Sequence, residues 1–181
     1  MSGFTERLEQ AATAAKSLVC VGLDPDPARM PVSSVSEFNR AIVDATAGLV
    51  CAYKPNLAFY EALGLPGLED LQKTIAHIRG AAPGVIIIGD AKRGDIGPSA
   101  QAYAKAMFQA WGFDAITINA WGGQDTVTPF LEDESKGVFV WCRGSNPGSA
   151  DFQDAQVLDE REGLEPVFVP LYRTMALSCR C

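Results

Sequence analysis

Five short apolar runs, separated by longer amphipathic stretches, constrain the fold more than any other feature of the sequence. The runs are continuous and rich in Val and Ile, which is typical of strands buried on both faces. They are SLVCVGL (17–23), GLVCAYK (48–54), VIIIGD (85–90), AITIN (115–119) and VFVWC (138–142). Because a strand followed by a helix repeats at intervals of roughly thirty residues, the sequence predicts right-handed parallel β/α units.

Three of the intervening stretches place apolar residues on one helical face. The predicted faces are Phe38, Ile42, Ala45 and Leu49, then Leu68, Leu71, Ile75 and Ile78, then Ala100, Tyr103, Met107 and Ala110. Ser36 is a candidate N-cap of the first helix, and Pro98 is a candidate first-turn residue of the third.

Two architectures fit this alternation, an open doubly wound sheet and a closed (β/α)8 barrel. The length of 181 residues favours the open sheet, because a (β/α)8 barrel typically takes about 250 residues. Both folds bind ligands at the carboxyl ends of their strands. Every conspicuous polar cluster follows a predicted strand, namely DPDP, KPN, DAKRGD, NAWGGQD and RGSNPGS.

The charge balance and the apolar runs exclude two classes of partner. The formal net charge is −7, and the 15 Lys and Arg residues are spread along the chain, so we expect no nucleic-acid surface. No apolar run approaches the length of a membrane span, and the first seventeen residues lack the basic and apolar regions of an export signal. We therefore expect a cytoplasmic protein that does not bind membranes.

The cysteines and the single histidine give weak signals. The cysteines number five and mostly lie in or beside apolar runs, so a disulfide framework is not expected. Cys179-Arg180-Cys181 is a poor metal or redox motif, and we predict no metal site. His77 falls on a predicted helix and is expected to be a surface or edge residue.

A cluster of charges at the end of the third run is the sharpest functional signal. In VIIIGDAKRGDIG (85–97), Asp90 and Lys92 are two residues apart and therefore point to the same side of a strand. Gly89 and Gly94 allow the backbone to turn away, and Asp95 lies just beyond the turn. A lysine between two carboxylates stays protonated, which makes Lys92 a positioned proton donor rather than a nucleophile.

Lys54 ends the preceding run, so the sequence predicts a network of the four charges Lys54, Asp90, Lys92 and Asp95. Two interpretations of this network remain open on pattern alone. It is either a salt-bridged loop at the end of a sheet or a catalytic centre.

GDAKRGDIG resembles the Asp-x-Lys-x-x-Asp signature of the orotidine 5′-phosphate decarboxylases, in particular their longer bacterial-type group. VGLDPDP, YKPNLAFYE and RGSNPGSADFQ resemble other blocks of that group and occur in the same order. Four ordered blocks over about residues 4–157 are far more specific than one short motif.

The resemblance implies a TIM-type (β/α)8 barrel, here incomplete with about five to six β/α units, and it overrides the preference for an open sheet. It also implies a homodimeric lyase without metal or organic cofactor. That enzyme decarboxylates orotidine 5′-phosphate to uridine 5′-phosphate, the last step of de novo UMP synthesis.

By the same resemblance, Lys92 would protonate C6 of the pyrimidine as carbon dioxide leaves. Asp90 would lie near the departing carboxylate and hold Lys92. Asp95 would reach across the dimer interface into the neighbouring site.

The resemblance also implies the substrate-binding residues. Asp24 and Lys54 would hydrogen-bond the ribose hydroxyls. Lys54 would also be the fourth of the catalytic charges. Ser145 would meet the edge of the pyrimidine, and Ser99 would present a hydroxyl near the ribose.

We divide the chain into residues 1–156, the N-terminal and central part of a barrel, and a divergent C-terminal tail, 157–181. PVFVPLY in the tail is a candidate short strand interrupted by Pro170. The phosphate loops that the family places after its seventh and eighth strands have no match here, so we expect compromised turnover. The alternatives are another phosphosugar decarboxylase or aldolase of the same barrel type, and an inactive nucleotide-binding or dimer-forming remnant.

Overall fold

The computed structural model describes residues 3–159 and 166–179. Its main sheet contains β1 (Cys20–Leu23), β2 (Ala52–Pro55), β3 (Ile86–Arg93), β4 (Ala115–Ile118) and β5 (Gly137–Val140). Six helices accompany these strands: α1 (Phe4–Ala15), α2 (Val35–Thr46), α3 (Leu57–Glu61), α4 (Gly64–Ala81), α5 (Gly97–Lys105) and α6 (Gln124–Leu131). A π-helical turn, Ala106–Ala110, extends α5, and a 3-10 turn, Pro147–Asp151, follows β5.

The strand order of the main sheet identifies the architecture. The strands lie in the order β1-β2-β3-β4-β5, and every neighbouring pair is parallel. A doubly wound sheet reverses its order at a switch point, whereas these strands follow one another without reversal, as in a barrel wall. The length-based preference for an open sheet is therefore wrong, and the described residues form four consecutive β/α units and the fifth strand of a barrel.

The sheet separates two apolar clusters. On its outer face, Tyr53, Ile87 and Ile116 are fully buried against the helices. On its inner face, α1 covers residues near the amino-terminal ends of the strands, where Ala11 packs with Ile86 and neighbouring small residues. The carboxyl half of the inner face is thereby left for polar side chains.

Burial differs between the central and edge strands. β2 and most of β3 are buried on both faces, as the continuous apolar runs predict. β1 is an edge strand of the described sheet, and Leu18 and Val19 just before it are 88% and 53% exposed. The expectation of two-sided burial is therefore wrong for the first run.

The helical faces are confirmed only in part. In α4, Leu71, Ile75 and Ile78 are buried as predicted. In α2, however, the buried residues are Val35, Asn39 and Val43, so the face is rotated from the predicted one. Two members of the predicted face, Ala45 and Leu49, are exposed.

The helix caps show a similar mixture. The Ser34 hydroxyl, not that of Ser36, caps α2 by accepting the Glu37 N–H at 3.2 Å. Pro98 lies in the first turn of α5 as predicted, where its missing N–H costs nothing.

The C-terminal described residues form a hairpin and a helix. β6 (Gln156–Asp159) pairs antiparallel with β7 (Val167–Pro170), and α7 (Leu171–Ser178) follows directly. Pro170 ends the strand and stands at the N-cap of α7, which agrees with the strand predicted in this segment. Met175 packs against the main core. No helix within residues 3–159 and 166–179 is long and apolar enough to cross a membrane.

Candidate active site

A bulge in β3 creates the centre of the site. β3 pairs with β4 regularly through Gly89, opposite Ile116, and pairing resumes at Arg93, opposite Ile118. The three residues from Asp90 to Lys92 therefore lie opposite the single residue Thr117. Such bulges re-aim side chains and are common beside active sites.

Lys92 has a left-handed backbone conformation, with φ of 46°. For a residue with a Cβ this conformation costs roughly 1–2 kcal/mol. Non-glycine residues in this region concentrate at functional sites, where surrounding contacts hold them.

The Asp90 carboxylate binds both lysines of the predicted network. Oδ1 accepts a hydrogen bond from Lys92 Nζ at 2.7 Å, and Oδ2 accepts one from Lys54 Nζ at 3.0 Å. The Asp90 side chain is 9% exposed, whereas those of Lys92 and Lys54 are 44% and 33% exposed. The carboxylate is therefore covered by two ammonium groups that face the open side of the sheet.

The pKa of Asp90 is lowered from its ordinary value. Burial is the largest single influence and acts in the opposite direction, because it disfavours the charged form. Hydrogen bonds from Lys92, Thr117 and Lys54 outweigh it. Asp90 is consequently an anion at neutral pH.

Sequence reasoning missed Thr117, which contacts the bulge through its hydroxyl. Oγ1 donates to Asp90 Oδ1 at 2.8 Å, and it accepts the N–H groups of Ala91 and Lys92, each at 3.0 Å. The available signal was a lone hydroxyl residue in the apolar run AITIN, on the strand that follows the charged motif.

Arg93 closes the bulge from the other side. Its guanidinium forms an ion pair with Glu61 of α3, lies 5.4 Å from the centre of the Tyr103 ring, and donates to the Ala91 carbonyl at 3.3 Å. Arg93 thus ties the segments that follow β2 and β3 to each other.

Gly89 and Gly94 allow close packing on either side of the bulge. A Cβ on Gly94 would lie 2.3 Å from the Asn119 carbonyl oxygen, and one on Gly89 would lie 2.7 Å from the Phe113 ring. At the bulge the left-handed backbone conformation belongs to Lys92, and neither Gly89 nor Gly94 has a positive φ. β3 ends at Arg93, so Gly94 is the first residue after the strand.

Asp95 does not join the other three charges within the chain. Its carboxylate accepts the N–H of Ile96 at 2.8 Å, and both residues are exposed, with Ile96 at 65%. The structure therefore joins Lys54, Asp90 and Lys92 and leaves Asp95 at an exposed tip beyond them.

The other candidate residues lie at the same edge of the sheet. Asp24 follows β1, Ser99 lies in the first turn of α5, and Ser145 follows β5, and all three are exposed. The loop that carries Ser145 is held by Arg143, whose guanidinium donates to both Asp154 oxygens at 2.7 Å.

The histidine and the cysteines gave the weaker sequence signals. His77 Nε2 is 2.6 Å from Asp44 Oδ1 on the helical layer. Cys20, Cys51 and Cys142 are free thiols, and Cys179 packs against the main core. Cys181 lies outside the described residues. Within residues 3–159 and 166–179, no group of three His, Cys, Asp or Glu side chains has the geometry of a metal site.

This fold and site define a β/α-barrel protein with a lysine–carboxylate centre at the carboxyl ends of its strands. The family model described as orotidine 5′-phosphate decarboxylase / HUMPS family matches residues 17–165. The chain belongs to this family.

Relatives and solved structures agree with this assignment. An orotidine 5′-phosphate decarboxylase of Dehalococcoides mccartyi is 53% identical over 151 residues, which cover 83% of this chain and 55% of that protein. One of Herpetosiphon aurantiacus is 47% identical over 179 residues, which cover 96% of this chain and 64% of that protein. The structure of Leishmania donovani OMP decarboxylase matches with a TM-score of 0.82 and 35% identity, over 97% of this chain and 64% of that one. The chain thus spans less than two thirds of the length of each.

Proposed function

We propose that this protein is a carbon–carbon lyase that decarboxylates orotidine 5′-phosphate to uridine 5′-phosphate. The observation that carries the proposal is the contact of Asp90 with both Lys92 and Lys54 at the carboxyl edge of the sheet. The names of the relatives and family membership supply the substrate.

Lys92 is the proton donor of the proposed reaction. As the bond between C6 and the carboxylate carbon breaks, its electron pair remains on C6 and carbon dioxide leaves. An ammonium at this position stabilises the developing negative charge more in the transition state than in the ground state. It then transfers its proton to C6, and the neutral amine regains a proton from solvent.

Asp90 holds the ammonium of Lys92 in place and keeps its own negative charge near the departing carboxylate. Like charges placed together in the bound state are relieved as carbon dioxide leaves, which adds to the effect of the ammonium. Neither step requires a metal or an organic cofactor. Asp24 and Lys54 bind the ribose hydroxyls in this scheme, Ser99 lies near the ribose, and Ser145 meets the pyrimidine edge.

The proposal includes a homodimer in which Asp95 completes the neighbouring site. Two features of this chain support it: Asp95 has no ion pair with any residue of 3–159 or 166–179 and accepts only the Ile96 N–H there, and the adjacent Ile96 exposes an apolar side chain. A carboxylate delivered by a partner would provide the second acidic neighbour of Lys92.

Steady-state decarboxylation of orotidine 5′-phosphate by this chain tests the function. We expect turnover by the unmodified chain and a loss of at least about 100-fold in Lys92→Ala, because a positioned acid contributes roughly 10²–10⁴-fold. Lys16→Ala is the matched control, since Lys16 is an exposed lysine with a similar left-handed backbone, φ 50°, at the end of α1. Absence of turnover above the uncatalysed rate, or full turnover by Lys92→Ala, would contradict the proposal.

Mixing two inactive variants tests the shared site. In a heterodimer of Lys92→Ala and Asp95→Asn, one of the two sites contains an intact Lys92 and an intact Asp95. An equal mixture should regain about a quarter of the unmodified activity, because about half of the dimers are heterodimers. If the mixture is no more active than the separate variants, Asp95 acts within its own chain or not at all.

A further inference from the structure

The hydroxyl of Thr117 makes all of its hydrogen bonds to the bulge that carries the reactive pair. A hydroxyl has one donor and two acceptor sites. Thr117 Oγ1 donates to Asp90 and accepts from the N–H groups of Ala91 and Lys92. Its full capacity therefore serves three consecutive residues of β3.

The bulge leaves two backbone N–H groups of β3 to be bound by the Thr117 hydroxyl. β3 and β4 pair at Gly89 and again at Arg93, so the N–H groups of Ala91 and Lys92 are outside the regular ladder. Backbone N–H groups outside the ladder need another acceptor, and the Thr117 hydroxyl accepts both of them. The same hydroxyl thus holds the left-handed backbone from which the Lys92 side chain extends.

The other neighbours of the pair do not duplicate this contact. Lys54 binds the opposite carboxylate oxygen of Asp90, and Arg93 reaches the Ala91 carbonyl. Among the hydrogen bonds of the described residues, those of Thr117 join the Asp90 carboxylate to the Lys92 backbone through one atom.

We propose that Thr117 is a positioning residue of the decarboxylation, which fixes the Lys92 ammonium and the Asp90 carboxylate relative to each other before substrate binds. This inference rests on the proposed function. Since small displacements of a reacting group cost up to about 10²-fold in rate, the role should appear in kcat rather than in substrate binding.

Replacement of the hydroxyl by a methyl group of similar size tests the role. In Thr117→Val we expect kcat to fall by about 10- to 100-fold, with the KM for orotidine 5′-phosphate within about threefold of the original. Thr117→Ser retains the hydroxyl and should restore kcat to within about threefold. Thr46→Val is the control, because Thr46 also bonds through its hydroxyl, to Ile42 of α2 and to Tyr53, on the outer layer.

A second measurement reads the geometry without requiring turnover. Carbon-13 NMR of the Asp90 side chain follows its ionisation in the same variants. The Thr117 hydrogen bond is one of the contacts that lower the pKa of Asp90, so Thr117→Val should raise that pKa. Thr117→Ser and Thr46→Val should leave it unchanged.

The two measurements separate failure of the inference from failure of the function. If the unmodified chain turns over and Thr117→Val retains its kcat, the inference is wrong while the function stands. The inference is also wrong if Thr117→Ser does not restore kcat, or if Thr117→Val lowers kcat without changing the pKa of Asp90. Either result would show that Thr117 acts through the general packing of β4. If the unmodified chain does not turn over, the proposed function fails. An unchanged pKa of Asp90 in Thr117→Val would overturn the inference independently of that result.

Discussion

The most informative single residue is Lys92, because its backbone is unfavourable and its side chain is the proposed acid. Its φ of 46° lies in the region that favours glycine. The conformation is held by the N–H bond to Thr117 and by the ion pair with Asp90. The left-handed backbone therefore lowers local stability at the residue whose ammonium the proposed chemistry needs in a fixed position.

Comparison of Lys92→Gly with Lys92→Ala isolates the backbone cost. Both variants lose the ammonium, but only alanine keeps a Cβ at positive φ. We expect the glycine variant to have a free energy of unfolding about 1 kcal/mol higher than that of the alanine variant. Urea denaturation of both variants measures the difference.

Lys16 provides the matched pair for this comparison. It has φ of 50° at the C-cap of α1, where glycine is commonly preferred, so Lys16→Gly should also be more stable than Lys16→Ala. If alanine is at least as stable as glycine at position 92 but not at position 16, Lys92 does not have a strained backbone in solution.

At the scale of elements, a buried polar cluster joins three helices to β1. Asn39 of α2 donates to the Tyr60 hydroxyl at 2.9 Å and to the Thr74 hydroxyl of α4 at 3.0 Å, and the Tyr60 hydroxyl of α3 donates to the Leu23 carbonyl at 3.2 Å. Burial raises the pKa of Tyr60 well above its usual range, so its hydroxyl remains a donor. This contact fixes the end of the strand that leads into Asp24.

Tyr60→Phe should destabilise the protein, because it leaves one buried Asn39 donor site without its partner. It also removes one of the two donors to the Leu23 carbonyl, which keeps the Asn56 N–H. The expected loss in free energy of unfolding is about 1–3 kcal/mol, measured by urea denaturation. Tyr103→Phe is the control, since the Tyr103 ring is partly exposed and its contact with Arg93 needs only the ring face. Equal stability of the two variants would show that the cluster contributes nothing.

The same cluster shows why the α2 face was predicted wrongly. Apolar periodicity identifies buried positions by hydrophobicity, so it selected Ala45 and Leu49 and passed over Asn39. Asn39 is fully buried because its amide meets hydroxyls from two other helices. Such partners are distant in sequence and leave no local pattern. The buried face of α4 was predicted correctly because Leu71, Ile75 and Ile78 are apolar and need no polar partner.

At the scale of the whole molecule, the succession of strands and helices along the chain could be predicted from local sequence patterns. The same patterns placed the charged motif at the end of a strand. The contact of Asp90 with Lys54 follows from adjacent parallel strands, and its contact with Lys92 is expected from their two-residue spacing on one strand. Thr117 could not be predicted, because its role depends on a bulge that shifts the register between β3 and β4. Spacing along a regular strand contains no sign of that shift.

Asp114 connects the elements at the opposite end of the sheet from the site. Its side chain is 5% exposed and forms ion pairs with Arg7 of α1 and, at 2.7 Å, with Arg79 of α4. It also accepts the Ile87 N–H of β3 at 2.9 Å. Burial acts to raise the pKa of Asp114, but these bonds and charges outweigh it and hold the pKa below its ordinary value.

The lowered pKa of Asp114 predicts how stability depends on pH. An aspartate in the unfolded chain titrates near its ordinary value of about 3.9, so in the acid range the unfolded state binds more protons than the folded state. The contribution of Asp114 is therefore fully present above about pH 5 and is lost as the pH falls through the lowered, folded value.

Asp114→Asn should lower the free energy of unfolding by about 2–4 kcal/mol at pH 7, because both arginines lose their charged partner. The difference in free energy of unfolding between the variant and the unmodified protein should become smaller as the pH falls below about 4. Urea denaturation at a series of pH values from 7 to 3 measures this difference. Glu9→Gln, at an exposed position of α1, is the control and should show a small difference throughout. A difference for Asp114→Asn that stays constant with pH would show that the carboxylate stabilises the fold by packing and not through its charge.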